Sequence, residues 1–253
     1  MSLKLSTGLR NFLTGEGTLR KAFEDAVLYI YSGSAPESAD LAPTGVLLCK
    51  VTKASGAVSD GARSTPKLCT VTISGTPDPG DIVKLDIDGT NYYYTLVADD
   101  NTLAKVALKV ARMLNDSPNV DAIATGTTGV IYCQSRFPGV DFTLTEETST
   151  GITVVVSADI VANAAVNTLK LGAPADGVIA KTADIWSGVN LATGTAGYFR
   201  LVTSSDGLDA DETDIRLQGT VSTSGADLNL SSISLVSAAT LTIDTFQLTE
   251  PEA

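Results

Sequence analysis

The chain has 253 residues, of which 43% are hydrophobic and 18% charged, a composition that excludes a disordered tail and is long enough for one large or two small cores. Its net charge of −12 leaves too few cations to neutralise a phosphate backbone, which argues against nucleic-acid binding. It contains no histidine, so Ser-His and Cys-His pairs and His-containing zinc sites are excluded.

The opening "MSLKLSTGLRNFLTGEG" lacks the apolar core of a secretory signal. No apolar run reaches the roughly 20 residues that cross a bilayer. The expectation is synthesis in a cytoplasm without membrane insertion. "LRNFLTGEGTLRKAFEDA" predicts two short helical pieces around Gly15-Glu16-Gly17. Thr18 is the expected cap of the second, with Leu19, Phe23 and Ala26 on one side.

"VLYIY" (27–31) and "VLLCKVT" (46–52) predict buried strands, joined by the small-residue loop "SGSAPESADLAPTG". The flexible stretch "KASGAVSDGARSTP" then marks a boundary. Residues 67–160 read as a self-contained α+β unit. Cys69, Val71 and Ile73, then Val83, Leu85 and Ile87, alternate as strands, and Asp88-Gly89 is a hairpin turn. Leu103, Val106, Ala107, Val110 and Leu114 form a helical stripe with a cap among Asp99 to Thr102. "VDAIATGTTGVIYCQSR", "DFTLTEET" and "GITVVVSAD" add three strands, giving the order β-β-β-α-β-β-β with the helix on one sheet face.

Beyond 165, a strand from Ala196 to Thr203, a strand alternating Ile215, Leu217 and Val221, and two or three short strands to residue 249 suggest a sandwich or barrel. An isolated hairpin is marginal in water, so strands 27–31 and 46–52 need the later ones. The predicted architecture is therefore mainly β. A discontinuous antiparallel β-sandwich or jelly-roll-like domain (1–64 with 165–253) carries 67–160 as an insertion at a loop.

Several side chains are candidates for chemistry or contact. Asp206, Asp209, Asp211, Glu212 and Asp214 crowd one stretch, a composition that suits calcium. Their spacing does not follow an EF-hand loop, so a solvated acidic loop is the expectation. Asp86 and Asp88 alternate onto one predicted strand face, as a hydrolytic pair or as solvated carboxylates. Tyr92 and Tyr94 share a face opposite Tyr93, as a contact stripe or as packing against the helix. Trp186, the only tryptophan, is an interface anchor or a core residue. Cys49, Cys69 and Cys133 form no CxxC motif and read as buried thiols. Lys4, Arg10, Arg20 and Lys21 make the N-terminal stretch the most basic, a candidate docking arm, with Phe12 a further interface candidate on it. No cofactor is expected.

The pieces "STGLRNFLTGEGTLRKAF", "LYIYSGSAPESADLAPTGVLLCKVT", "GTAGYFRLV", "IRLQGTVSTSGADLNLSS" and "TLTIDTFQLT" resemble a group of tailed-bacteriophage virion proteins. The middle, carried by "TVTISGTPDPGDIVKLDIDGTNYYYTLVADDNTLAKVALKVARMLNDSPNVDAIATG", resembles a second phage-type module. The resemblance implies a non-enzymatic particle component located in the virion, either a head decoration or cement protein or a tail-associated, host-contacting one. It also implies the major capsid protein or other virion proteins as partners, and assembly as a homo-oligomer.

Overall fold

The computed structural model describes residues 3–126 and 129–249. In chain order, residues up to 63 give β1 (Lys4–Leu5), α1 (Thr7–Gly15), α2 (Leu19–Ala22), β2 (Ala26–Ser32) and β3 (Leu47–Lys53). Residues 64–165 give β4 (Leu68–Ser74), β5 (Ile82–Ile87), β6 (Thr90–Thr95), α3 (Leu103–Leu114), β7 (Val120–Ala124), β8 (Val130–Ser135), β9 (Leu144–Glu146) and β10 (Thr153–Val156). The last stretch gives β11 (Val178–Ala180), β12 (Trp186–Val189), β13 (Gly194–Thr203), β14 (Arg216–Ser222), β15 (Leu228–Asn229), β16 (Ser234–Leu235), β17 (Thr240–Ile243) and β18 (Gln247–Thr249). The fold is mainly β with antiparallel sheets. The chain divides into two compact units, residues 1–63 with 166–253, and residues 64–165. Among the described residues no helix is long and apolar enough to cross a membrane.

In the first unit one sheet runs β1-β14-β13-β2-β3-β12-β17, with β15 added on β14 and β16 on β13. Chain-distant segments alternate along it, so neither the N-terminal nor the C-terminal part holds a complete sheet. One face carries Leu28, Ile30, Phe199, Leu201 and Leu217, packed with Leu9 and Phe23 of the helical segment and with the β11–β18 ribbon. The opposite face is also buried. Register places Tyr29 and Tyr31 beside Arg200 and Tyr198, and these beside Gln218 and Thr220. Arg200, Arg216 and Gln218 are fully buried. The alternation in "IRLQGTV" predicts one wet face, whereas residues 216–219 are all buried.

Other departures have local causes. Ala26, expected on the helix, opens β2, because α2 closes at Phe23, whose N–H bonds to the Leu19 carbonyl. α1 and β1 are built into the sheet rather than free as an arm. Lys4 and Leu5 pair with Gln218 and Leu217, and Leu9 is fully buried. A Cβ on Gly8 would lie 2.2 Å from the Thr213 carbonyl, so only glycine permits this approach.

In the second unit, β10-β4-β8-β7 form one sheet and β6-β5-β9 another, both packed on α3 around an apolar core. Thr102 caps α3, its hydroxyl accepting from the Lys105 N–H. Asp88 (φ 53°) and Gly89 (φ 80°) make a two-residue turn with both residues left-handed, which matches strand twist. Asp88 therefore belongs to the turn and not to a strand face with Asp86. Residues 120–135, read as a single strand, are two paired strands, so four strands follow the helix rather than three. Their connection includes Thr127 and Thr128, outside the described residues.

Candidate interaction surfaces

The loop between β2 and β3 (33–46) lies over the polar face of the first unit's sheet. A loop laid on a sheet has carbonyls that no ladder satisfies, and each must find a donor. Side chains on the sheet supply them. Gln218 Nε2 and Lys4 Nζ donate to the Pro36 carbonyl at 2.8 and 2.9 Å, and Arg200 Nη1 donates to that of Leu41 at 2.9 Å. The Tyr198 hydroxyl donates to the Thr44 carbonyl and accepts from the Thr44 N–H. Arg200 Nη2 donates to Gln218 Oε1 at 2.9 Å, completing a lateral row. Burial, then the neighbouring Arg216 charge, lowers the Arg200 pKa. Asp40 joins the loop to α1 by accepting from the Thr7 N–H and hydroxyl at 2.7 and 2.9 Å. Burial pushes its carboxyl up, but these bonds and that from Ser38 outweigh it and leave it below the ordinary value.

The acidic stretch surrounds a cation that belongs to the chain. Arg216 Nε and Nη2 bond both oxygens of Asp206, at 2.6 and 2.9 Å, with both side chains fully buried. Asp214 bonds the same guanidinium, and the Asp209 carbonyl accepts from Nη1 at 2.8 Å. Burial pulls the Arg216 pKa down, but Asp206 and Asp214 raise it overall. Asp214 is raised by burial first and by Asp206 second. Asp206 is thus a buried ion-pair partner and not part of a solvated loop. The Asp209 side chain is mostly exposed, and Asp211 accepts from the Thr213 N–H and hydroxyl. No group of three or more metal-ligating side chains that could hold an ion occurs among the described residues.

The remaining candidates in this unit are dispersed. Arg10 is exposed and donates to the Thr7 hydroxyl, Lys21 pairs with Glu24 at 2.8 Å, and Phe12 packs partly against the core. Arg20 is half-buried. Trp186 is fully buried, its ring tilted against that of Phe246 with centroids 5.4 Å apart and Lys181 Nζ 6.0 Å from it. It is a core residue and presents nothing to a partner.

In the second unit, Tyr92 and Tyr94 pack partly on the core, while Tyr93 is 70% exposed. The Tyr94 hydroxyl donates to Asp100 at 2.6 Å, the Val97 N–H donates to the same carboxylate at 2.9 Å, and Lys109 pairs with it at 2.6 Å. The Asp100 side chain is fully buried.

The outer face of the four-stranded sheet carries an exposed apolar patch that sequence reasoning missed. Ile123 pairs with Tyr132, Tyr132 with Thr70, and Val155 with Thr72. Ile123, Tyr132 and Val155 are 70%, 45% and 49% exposed, and Ile160 and Val161 are exposed beyond them. Isolated exposed apolar residues are ordinary; several joined by strand register on one face form a patch. The available signal was the polar-side position of Ile123 and Tyr132 in an otherwise alternating pair of strands.

All three thiols are buried and free. Burial pushes Cys49 and Cys69 up to about 11, and burial with the neighbouring Cys69 pushes Cys133 up to about 12. The reactive thiolate is therefore suppressed. A thiol reagent at neutral pH is expected to leave all three unmodified in the folded chain and to modify all three in denaturant, counted by mass spectrometry.

No protein-family model matches the chain, and no curated protein matches it.

Proposed function

We propose that this chain is a structural component of a bacteriophage virion, a decoration or cement protein that binds the assembled head shell and works by contact rather than by bond-making. The observation that carries the reading is the exposed Ile123, Tyr132 and Val155 face of the second unit. An apolar, aromatic-bearing sheet face is the kind of surface that protein interfaces bury. Support also comes from the resemblance of the first unit's segments to phage virion proteins. A module that binds only the assembled shell stabilises that state by mass action, and many symmetric copies make modest contacts sufficient. The alternative is a tail-associated or adhesion role with residues 64–165 as the binding module, favoured by the same face lying on that unit.

The test is immunogold labelling of particles. Label over the whole shell supports decoration, label at one vertex or along the tail supports the alternative, and unlabelled particles refute both. The double variant Ile123→Asp, Tyr132→Asp changes two exposed side chains. It is expected to bind particles at least about tenfold more weakly in a pelleting assay, because charge cannot be buried unpaired in an interface. Undiminished binding would remove this face from the account.

A further inference from the structure

Sheet edges expose backbone donors and acceptors, and proteins normally blunt them with charges, prolines, bulges or covering groups. The second unit treats its edges unequally. At β7 the Asn115 side-chain amide replaces a missing strand: its Nδ2 donates to the Ala122 carbonyl at 2.9 Å, and its Oδ1 accepts from the Ala122 N–H at 2.7 Å. Arg136 Nη2 takes the Val120 carbonyl on the same strand. At β10 the Val156 N–H donates to Glu146. β6 has no such device. It pairs with β5 alone, in continuous register from Thr90 to Thr95.

The hairpin turn determines which groups are free. A two-residue turn makes Ile87 and Thr90 a hydrogen-bonded pair, so Tyr92 and Tyr94 also bond toward β5. The N–H and C=O groups of Asn91, Tyr93 and Thr95 then point outward, and no hydrogen bond among the described residues takes them up. Their side chains are exposed as well. The segment "TNYYYT" contains no charge, proline or glycine.

The geometry points to β6 as a self-pairing edge, whose occupant is β6 of a second copy of this chain. The segment is self-complementary when read antiparallel about Tyr93. Asn91 then faces Thr95 of the other copy, Tyr92 faces Tyr94, and Tyr93 faces its own equivalent. Such pairing is an isologous two-fold interface that joins two β9-β5-β6 sheets into one of six strands. It places tyrosines opposite tyrosines on both faces, an arrangement favoured across strands. No like charges meet along the paired segment. The net charge of −12 per copy opposes association at a distance, so added salt strengthens the pairing. The inference does not rest on the proposed function.

The experiment is sedimentation velocity on the full chain across protein concentration and ionic strength, together with hydrogen exchange. The expected result is a monomer–dimer equilibrium that shifts toward dimer with salt, with the amides of Asn91, Tyr93 and Thr95 slowing as dimer forms. Tyr93→Lys sets two cations side by side at the dyad and is expected to weaken dimerisation about tenfold or more. At concentrations where the parent is monomeric its urea midpoint should be unchanged, because Tyr93 is exposed. A chain that stays monomeric under all conditions overturns the inference and leaves the edge for an extended segment of another protein. A dimer indifferent to Tyr93→Lys, or one whose β6 amides exchange as fast as in the monomer, also overturns it.

Discussion

Replacing Arg216 by methionine is expected to destabilise the unit built from residues 1–63 and 166–253 by about 3–5 kcal/mol, the usual cost of removing one partner from a buried ion pair. The carboxylate of Asp206 would remain fully buried with its cation gone. The carbonyls of Asp209 and Asp40 would lose the donor Nη1 as well. The cost thus arises in groups that stay behind, not in the side chain removed. A double variant, Arg216→Met with Asp206→Leu, is expected to be more stable than the single one, because the fully buried carboxylate is removed together with its cation. Urea unfolding followed by tryptophan fluorescence measures both. Trp186 is the only tryptophan and lies in the core of this unit, so the signal reports on this unit's unfolding. A single variant within about 1 kcal/mol of the parent, the worth of an exposed pair, would show the ion pair to be solvated.

The second large effect belongs to Asp100. Its carboxylate gathers the end of β6 through Tyr94, the following loop through Val97, and α3 through Lys109. Asp100→Ala leaves the Val97 N–H and the Tyr94 hydroxyl without this acceptor, while Lys109 can turn to water. The expected cost to residues 64–165 is about 2–3 kcal/mol. It should appear as faster exchange of α3 and β6 amides, with the Trp186 transition unmoved. The acid response follows from the same contacts. Burial pushes the Asp100 carboxyl up, but the bonds from Lys109, Tyr94 and Val97 outweigh it and hold it below its ordinary value. The folded form therefore releases this proton more readily than the unfolded one. Its stabilisation is present above the ordinary carboxylate value and is lost as pH falls through the lower, folded value. Asp100→Asn is expected to flatten that acid limb, measured as the urea midpoint of the second unit against pH.

Legibility in the sequence followed the range of the physics. The β5–β6 hairpin and α3 were readable, because a two-residue turn, a period of two, a period of 3.6 and a threonine cap are all local. The flexible stretch "KASGAVSDGARSTP" includes the point near residue 64 where the chain passes from one compact unit to the other. The polar layer was not readable. Arg200, Arg216 and Gln218 occupy the positions that strand alternation assigns to water. What buries them is a loop some 160 to 180 positions away: Leu41 for Arg200, Asp40 for Arg216 and Pro36 for Gln218. Periodicity describes how a strand alternates and not what covers each side. The same limit made the N-terminal cations look like a free arm. Leu5 and Lys4 find their partners at Leu217 and Gln218, far along the chain. Trp186 was open between core and interface for a related reason, since one aromatic carries no period.

Thr65 and Ala164 bond each other's backbone in both directions, at 2.7 and 3.0 Å. The 98 residues between them consequently begin and finish at one spot, like a bead tied at its own knot. Such a segment can be exchanged for any other that closes on itself, without shifting the strand register of the remainder. Variation in this segment can then proceed by exchanging it whole, while the strands on either side of it in the chain keep their sequence.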